Sequence, residues 1–532
     1  MQLSPIKISI NNNFMGFRLL DLTVKNHYIL GDNTFEFYNG TDNSFGLYYT
    51  VIIGPNGTGK SELLKVLLNI FKTLNDFSNG EKKKFDESAF RLRYLNNGNL
   101  YSFANSPSEY FDSDKEKKVL RFNKNLRLSK NNQELKEFDV EDVIPRTIIA
   151  HSIMLTDKFI VPRNQKEKDS FPMYKYLGVR YRPQQASTRY YVRNTVENIV
   201  NNFDSELFRT GLKELIKFLE LKGAVNIIYR TINTPKFFTS DVSKGDLDLF
   251  FEDIETRYFE TNKTPPFKLN RYKLLSKEEG KIERLCKFIR EEVNNNTYHN
   301  ISRSSAKLFK FNLLDNESYI ELNRKYEFLE TLRQIGFVDA PYIRIEENSS
   351  SMSLSEASSG EFHFFSTMIG LLSNFNPNSI VLIDEPEISL HPNWQMKYLD
   401  FTRKLFSGLD YGMSHVVIAT HSHFLISDLK GDSSNIIGLK KEDQKISVVP
   451  LEYDLNTYGW SAEEVLYKVF EVRTTRNHYL EVDLRELLSL IARNSKDNAR
   501  IKMLLSRISD VQLSEYDPLK LVISQAKEYL AQ

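Results

Sequence analysis

The chain has 532 residues, with 71 Lys and Arg set against 70 Asp and Glu for a net charge of +1. That balance excludes a globally basic nucleic-acid coat and a disordered polyanion, though not a local basic patch. Length allows two to four domains at roughly 150 residues each, and 41% apolar residues with only 22 Gly and 16 Pro point to several packed cores, not a fibrous or linker-rich chain.

From the N-terminus, Met1 to Phe14 is polar and Asn-rich and lacks the apolar segment of a signal peptide. Short apolar bursts then run from Phe17 to Val24, Phe35 to Tyr38 and Tyr48 to Ile53, which predicts strands joined by turns. Gly54-Pro55-Asn56-Gly57-Thr58-Gly59-Lys60-Ser61 follows directly, with P-loop spacing between a buried strand and a helix. Glycines let the backbone turn its N–H groups inward, and the helix N-terminus adds partial positive charge. Lys60 is expected to reach the β- and γ-phosphates of ATP, and Ser61 to ligate Mg²⁺. The helical period continues from Glu62 to Leu74, residues 80–140 predict a hairpin-rich excursion, and Thr147 to Ala150 predict another buried strand.

Residues 171–193 carry Lys175, Arg180, Arg182, Arg189 and Arg193 without an acid, interleaved with Phe171, Tyr174, Tyr176, Tyr181, Tyr190 and Tyr191. Two readings stand: phosphate neutralisation with base stacking, or a solvated loop above core tyrosines. A second basic run, Lys115 to Lys130, is diluted by Glu116 and Asn. Between 195 and 345 long amphipathic stretches with few strand signals predict a helical lobe, too interrupted for a coiled-coil arm. The single cysteine, Cys286, sits in one of these stretches, so a disulfide framework and a Cys-built metal site are excluded. Asp246-Leu247-Asp248 reads as a helix-start cluster.

Ala357-Ser358-Ser359-Gly360-Glu361 opens a helix whose small residues can present N–H groups to an anion. The apolar strand Ser379 to Ile383 ends in Asp384-Glu385, where Asp384 suits the Mg²⁺ shell and Glu385 the attacking water. A further strand, His415 to Ala419, leads to Thr420-His421-Ser422, which sets His421 beside a γ-phosphate if the strands are neighbours. After about 456 the chain is predicted helical. No stretch has the apolar length of a membrane span, so a soluble, cytoplasmic protein is expected.

Taken together these motifs resemble ABC ATPases, across 17–63 and 346–427, with Ser359 where transporters usually carry Gly. Asp384-Glu385-Pro386-Glu387-Ile388-Ser389-Leu390-His391-Pro392 looks most like the soluble SMC-like and overcoming-lysogenisation-type branch. The resemblance implies an α/β ABC-ATPase head, a P-loop mixed sheet with flanking helices, carrying an inserted helical lobe and a helical C-terminal tail. Its divisions would be 1–194 and 346–450 for the two parts of the core, 195–345 for the insert and 451–532 for a partner-binding tail. It also implies a homodimer, or a higher assembly, with two ATP molecules between subunits and Ser358, Ser359 and Gly360 of one chain facing the phosphates held by Lys60 of the other. One departure is the Q-loop, His151 to Phe159, which has no Gln; either Ser152 stands in or the contact is absent. The adenine-stacking aromatic is unassigned among Phe17, Phe35, Phe37 and Tyr38.

Within that branch the tail from Thr457 to Glu464 and the short insert resemble PtuA-type ATPases of Septu and retron antiphage systems. That family implies an HNH-nuclease partner and, in retrons, a reverse transcriptase with its RNA–DNA hybrid product. Two alternatives remain: an SMC-like DNA-repair ATPase, and a self-contained defence ribonuclease built on Arg473 and His478 at a spacing similar to HEPN ribonucleases.

Overall fold

The computed structural model describes residues 16–40, 46–80, 88–111, 126–182, 185–232, 237–260, 266–295, 298–300, 306–347, 350–354, 359–388, 390–406, 414–427, 429, 432–442, 445–449, 463–465, 478–493, 495–511, 517 and 519–531. Packing divides the chain into two compact units, 1–459 and 460–532.

The first unit is organised by a seven-stranded mixed sheet. Four parallel strands lie side by side at its centre, in the order Tyr48–Ile53, His415–Thr420, Ser379–Asp384, Thr147–Ser152. Every residue of the four is buried, which is why they read as mostly apolar runs instead of alternating ones. Ser434–Glu442 adds in parallel beside Tyr48–Ile53, Lys445–Val449 adds antiparallel to it, and Tyr174–Tyr176 closes the far edge. Register aligns the strand ends: Ile53 lies beside Thr420, and Asp384 beside both Ala419 and Ser152. The carboxyl ends, and the loops that follow them, are thereby gathered along one rim.

A six-stranded antiparallel sheet runs Gly31–Glu36, Phe17–His27, Ala89–Asn96, Asn99–Ala104, Arg127–Lys130, Gln133–Leu135, which realises the expected hairpins. The helix Lys60–Ser78 joins the two sheets through one hydrophobic core, in which Phe17, Phe71 and Tyr94 meet at ring distances of 5.6–6.0 Å.

The 195–345 segment contains the expected helices, among them Glu206–Phe218, Lys281–Asn295 and Asn316–Gln334. It also holds most of a five-stranded antiparallel sheet that the sequence reading did not anticipate: His299–Asn300, Lys307–Asn312, Ala224–Arg230, Tyr342–Glu347, Ser350–Ser353. Short apolar runs such as Val225 to Tyr229 carry no period that separates strand from buried helix, and only the pairing decides it. The longest helix in this segment has 19 residues, about 28 Å, far short of a coiled-coil arm.

In the second unit, helices His478–Ala492, Asn498–Ser509 and Leu519–Ala531 close a core of their own around Leu487, Ile501, Leu504, Ile508 and Ala526. The α/β head with a helical tail therefore holds as expected. No helix among the described residues is long and apolar enough to cross a membrane.

Candidate active site

The turn after Tyr48–Ile53 has positive φ at Gly54 (151°), Gly57 (81°) and Gly59 (85°), a conformation L side chains rarely adopt. At Gly54 space forbids a side chain as well, since a Cβ would come 2.3 Å from the Leu439 carbonyl oxygen. Gly59 caps the helix Lys60–Ser78 in left-handed conformation, and no side chain caps that end. The first N–H groups of a 19-residue helix thus point along the loop, as an anion cradle requires. Pro55, Asn56 and Gly57 are exposed, while Thr58 is buried and donates its hydroxyl to Pro55 O at 2.8 Å.

Lys60 folds over this loop: its ammonium donates to Gly54 O at 2.8 Å and Pro55 O at 3.3 Å. Burial lowers its pKa to about 8 against the pull of Glu385, Asp384 and Glu387. Ser61 Oγ donates to Asp384 Oδ1 at 3.0 Å. Asp384 is only 1% exposed, and burial raises its pKa to about 7, against the Ser61 hydrogen bond and the Lys60 charge. A hydroxyl and a carboxylate side by side are the hard oxygen donors that Mg²⁺ prefers.

Glu385 leaves the strand with φ 51°, its N–H bonded to Ala419 O at 2.9 Å. This tight exit turns the carboxylate toward His421, with Nε2 to Oε1 at 3.4 Å, and the His421 contact holds its pKa below the usual range. The same Nε2 lies 2.6 Å from Lys60 Nζ. An unprotonated Nε2 accepts from Lys60, whereas a protonated one serves Glu385, so His421 can face one partner at a time. Lys60, Ser61, Asp384, Glu385 and His421 are thus brought together from three loops at one rim of the sheet.

The sequence reading gave no role to Glu387, Asp157 or Glu62, and left that of Ser152 open. Glu387 Oε1 accepts the His421 N–H at 2.6 Å and so fixes the backbone that carries the histidine, while burial raises its pKa. At the Q-loop position, Ser152 is fully buried beside Asp384 in register, with its hydroxyl accepting from Met154 N at 3.2 Å. Asp157 follows, buried and held by Arg180 (Nε to Oδ2, 2.8 Å), Tyr176 OH at 2.8 Å and Phe159 N at 2.9 Å. Glu62, on the P-loop helix, takes hydrogen bonds from Tyr28 OH, Lys65 and Lys158. Those partners carry its pKa down to about 2 although burial opposes the shift.

Of the aromatics left open for base stacking, Phe17, Phe35 and Phe37 are wholly buried in the core and are excluded. Tyr38 packs edge-on against Tyr48. A more exposed ring is that of Tyr28, 71% exposed, stacked on His27 at 4.8 Å and adjoining Ile29 and Leu30, which approach the Gly59 position.

The helix Ser359–Asn374, which Ser359 and buried Gly360 open, packs on Thr188–Asn202, Glu206–Phe218 and Thr147–Ser152. Ser358, Arg473, the side chains of Ser359 and His478, and nearly all of Thr457 to Glu464 lie outside the described residues, as does most of the Lys115 to Lys130 run. Asp246 and Asp248 are tied to Ser243 and Tyr272, in keeping with a helix start. No group of His, Cys, Asp and Glu among the described residues is arranged to hold a metal without other donors.

The chain is similar to several known proteins. The chain is 27% identical over 276 residues to "Retron Ec83 probable ATPase" of Escherichia coli, covering 47% of this chain and 48% of that one. It is 30% identical over 155 residues to the hemin import ATP-binding protein HmuV of Aliivibrio fischeri, covering 28% and 50%. The chain spans about half the length of each of these two relatives. Among solved structures, the Smc head domain from Pyrococcus furiosus, bound to the C-terminal domain of ScpA, aligns with TM-score 0.32 and 13% identity over 81% of this chain and 96% of that one. The model of the AAA ATPase domain family matches residues 1–426, well over half of the sequence and the whole of the P-loop, acidic-strand and histidine apparatus, and the chain belongs to that family.

Proposed function

We propose that the chain is a Mg²⁺-dependent ATPase of the ABC type that closes as a dimer around ATP and controls a partner effector in antiphage defence. The observation that carries the reading is the Ser61–Asp384 hydrogen bond, 3.0 Å long, with Lys60, Glu385 and His421 around it. Backbone N–H groups from Gly57 to Ser61 and the Lys60 ammonium bind the β- and γ-phosphates. Ser61 and Asp384 hold Mg²⁺, which when bound supplies charge neutralisation on the phosphate oxygens. Glu385, ionised at neutral pH and oriented by His421, takes a proton from the attacking water. His421 turns from Lys60 toward the γ-phosphate, on a backbone steadied by Glu387. Tyr28 offers its ring face to the adenine. A second copy supplies Ser358, Ser359 and Gly360 to complete the γ-phosphate shell.

The kinship to a protein named as a retron ATPase supports the defence role. In that setting the effector is a nuclease of the HNH type, with a reverse transcriptase and its RNA–DNA product as further partners, and the tail beyond 451 is the docking region.

Purified protein tests the core of this. Lys60→Ala loses ATP binding, whereas Glu385→Gln binds ATP, hydrolyses it at least ~100-fold more slowly and shifts to a dimer on light scattering when ATP is added. Wild-type turnover by Glu385→Gln would remove Glu385 as the base. Affinity purification of that variant with ATP from its native host then identifies the partner, and recovery of the chain alone would count against an associated effector.

A further inference from the structure

Residues 171–193 left two readings open, and the structure separates the residues between them. Phe171, Tyr174 and Tyr191 are buried, and Arg180 is buried in its pairing with Asp157. These belong to the core. Lys175, Arg182 and Arg189 are exposed, and Tyr181, Tyr190 and Arg193 are half-buried. The last three join Arg182 in one surface array on the short hairpin Arg180–Arg182/Gln185–Ala186 and the first turns of the helix Thr188–Asn202. Tyr181 and Tyr190 have ring centroids 5.5 Å apart, tilted by 43°. Each ring carries a guanidinium, with Arg182 5.6 Å from the Tyr181 centroid and Arg193 5.2 Å from that of Tyr190. None of Lys175, Arg182, Arg189 and Arg193 pairs with a carboxylate among the described residues.

We propose that Tyr181, Arg182, Arg189, Tyr190 and Arg193 form a binding platform for single-stranded nucleic acid. The pairing of residue types is what selects the ligand. Guanidiniums neutralise phosphates, while half-exposed rings give stacking faces that every unpaired base can use and that a duplex, its bases already stacked, cannot. Guanidiniums and ring faces lie together at this surface, and no carboxylate among the described residues pairs with them. An acidic peptide would use the arginines but gain little from the rings.

The platform is also wired to the nucleotide site, and this part rests on the ATPase reading. Its root, Val179-Arg180, is fixed from below: Val179 N–H donates to Ser152 O at 3.4 Å, and Arg180 grips both Asp157 and Phe159 O (2.9 Å). Ser152 stands beside Asp384 in register. A strand bound at Tyr181 and Arg182 therefore pulls on the segment that flanks the Mg²⁺ carboxylate, and ATP turnover responds to it.

The test uses full-length protein and fluorescein-labelled oligothymidine of about 20 nucleotides, with the same sequence in duplex form as comparison. Wild type binds the single strand more tightly than the duplex. Tyr190→Ala weakens binding about 5- to 100-fold and Tyr190→Phe restores it. Arg182→Ala and Arg193→Ala each reduce the slope of log affinity against log salt by about 0.7, while Lys213→Ala, exposed on another helix, does neither. Circular-dichroism melts matched to wild type verify that these surface variants fold. The oligonucleotide alters wild-type ATP turnover but not that of Tyr190→Ala.

Equal affinity and slope in wild type, Tyr190→Ala and Arg182→Ala overturns the platform, and so does displacement by polyglutamate with no effect of Tyr190→Ala, which would make this a docking face for acidic protein. Binding that depends on Tyr190 in a protein that does not hydrolyse ATP would instead keep the platform and sink the ATPase reading.

Discussion

His415 ties the two sheets of the head together, and its replacement has a calculable cost. The side chain is fully buried at the start of the strand His415–Thr420. Leu19 N–H donates to its Nδ1 at 3.0 Å, so that nitrogen carries no proton. The proton therefore sits on Nε2, which donates to Thr50 Oγ1 at 2.7 Å, and Thr50 passes its own hydrogen to Phe37 O at 2.6 Å. His415→Phe keeps a ring of similar size but leaves the Leu19 N–H buried without an acceptor, at a cost of about 1–3 kcal/mol, and removes the bond to Thr50, worth about 0.5–1.5 kcal/mol. The variant should lose about 2–4 kcal/mol.

A pH signature separates this from simple mispacking. Burial, reinforced by the Arg18 guanidinium, pushes the His415 pKa well below 6.5; the edge-on Tyr48 ring, 5.1 Å away, is the other titratable group against it. Below pH 6.5 the unfolded chain takes up a proton that the folded chain refuses, so the stability this residue provides is complete above that pH and falls on acidification. The slope reaches about 1.4 kcal/mol per pH unit. His415→Phe lacks that dependence, and the gap between the two proteins should therefore narrow by about 1–1.4 kcal/mol between pH 7 and pH 5.5. Urea melts of the full chain followed by far-UV circular dichroism measure both quantities. A gap below about 0.5 kcal/mol at pH 7, or one that stays constant with pH, would refute the assigned tautomer and its network.

Three other outcomes follow from the site. Gly54→Ala should push the loop off Leu439 O and weaken binding of a non-hydrolysable ATP analogue at least about 10-fold by calorimetry, since the added Cβ meets backbone and the φ of 151° is unfavourable to alanine. Asp157→Ala strands buried Arg180 and should cost about 3–5 kcal/mol in a urea melt, against little for Lys166→Ala on the exposed helix Gln165–Asp169. Glu387→Gln, whose amide oxygen can still accept the His421 N–H, should keep most ATPase turnover, whereas Glu387→Ala should lower kcat about 10-fold or more with a smaller change in KM.

How far the sequence could be read depends on how local each feature is. The P-loop was readable because eight consecutive residues encode one backbone shape, and Gly54, Gly57 and Gly59 adopt the positive φ that glycine permits. The central strands were readable because a strand buried on both faces is apolar through its middle, as Ile380 to Ile383 and Val416 to Ala419 are, with the polar Ser379, Asp384, His415 and Thr420 only at the ends. The insert's sheet was hidden for the opposite reason. In Lys307–Asn312 only Phe309 and Phe311 are buried, an alternation two residues long inside a charged stretch, and its partner Ala224–Arg230 is about 80 residues away.

The site divides along the same line. Ser61 and Asp384 could be named in advance because each has a local signature, although 323 residues separate them. Tyr28 and Glu387 have none: one acts through Glu62, 34 residues on, and the other through a backbone N–H 34 residues away. The aromatic candidates divide for a related reason. Phe17 and Phe35 lie on strands and Phe37 just past one, all with their rings in the core, whereas Tyr28, in the turn between the two strands, stands 71% exposed. Burial and base stacking compete for the same residue type, so composition could nominate aromatics, but which of them keep a ring face exposed is set by the fold.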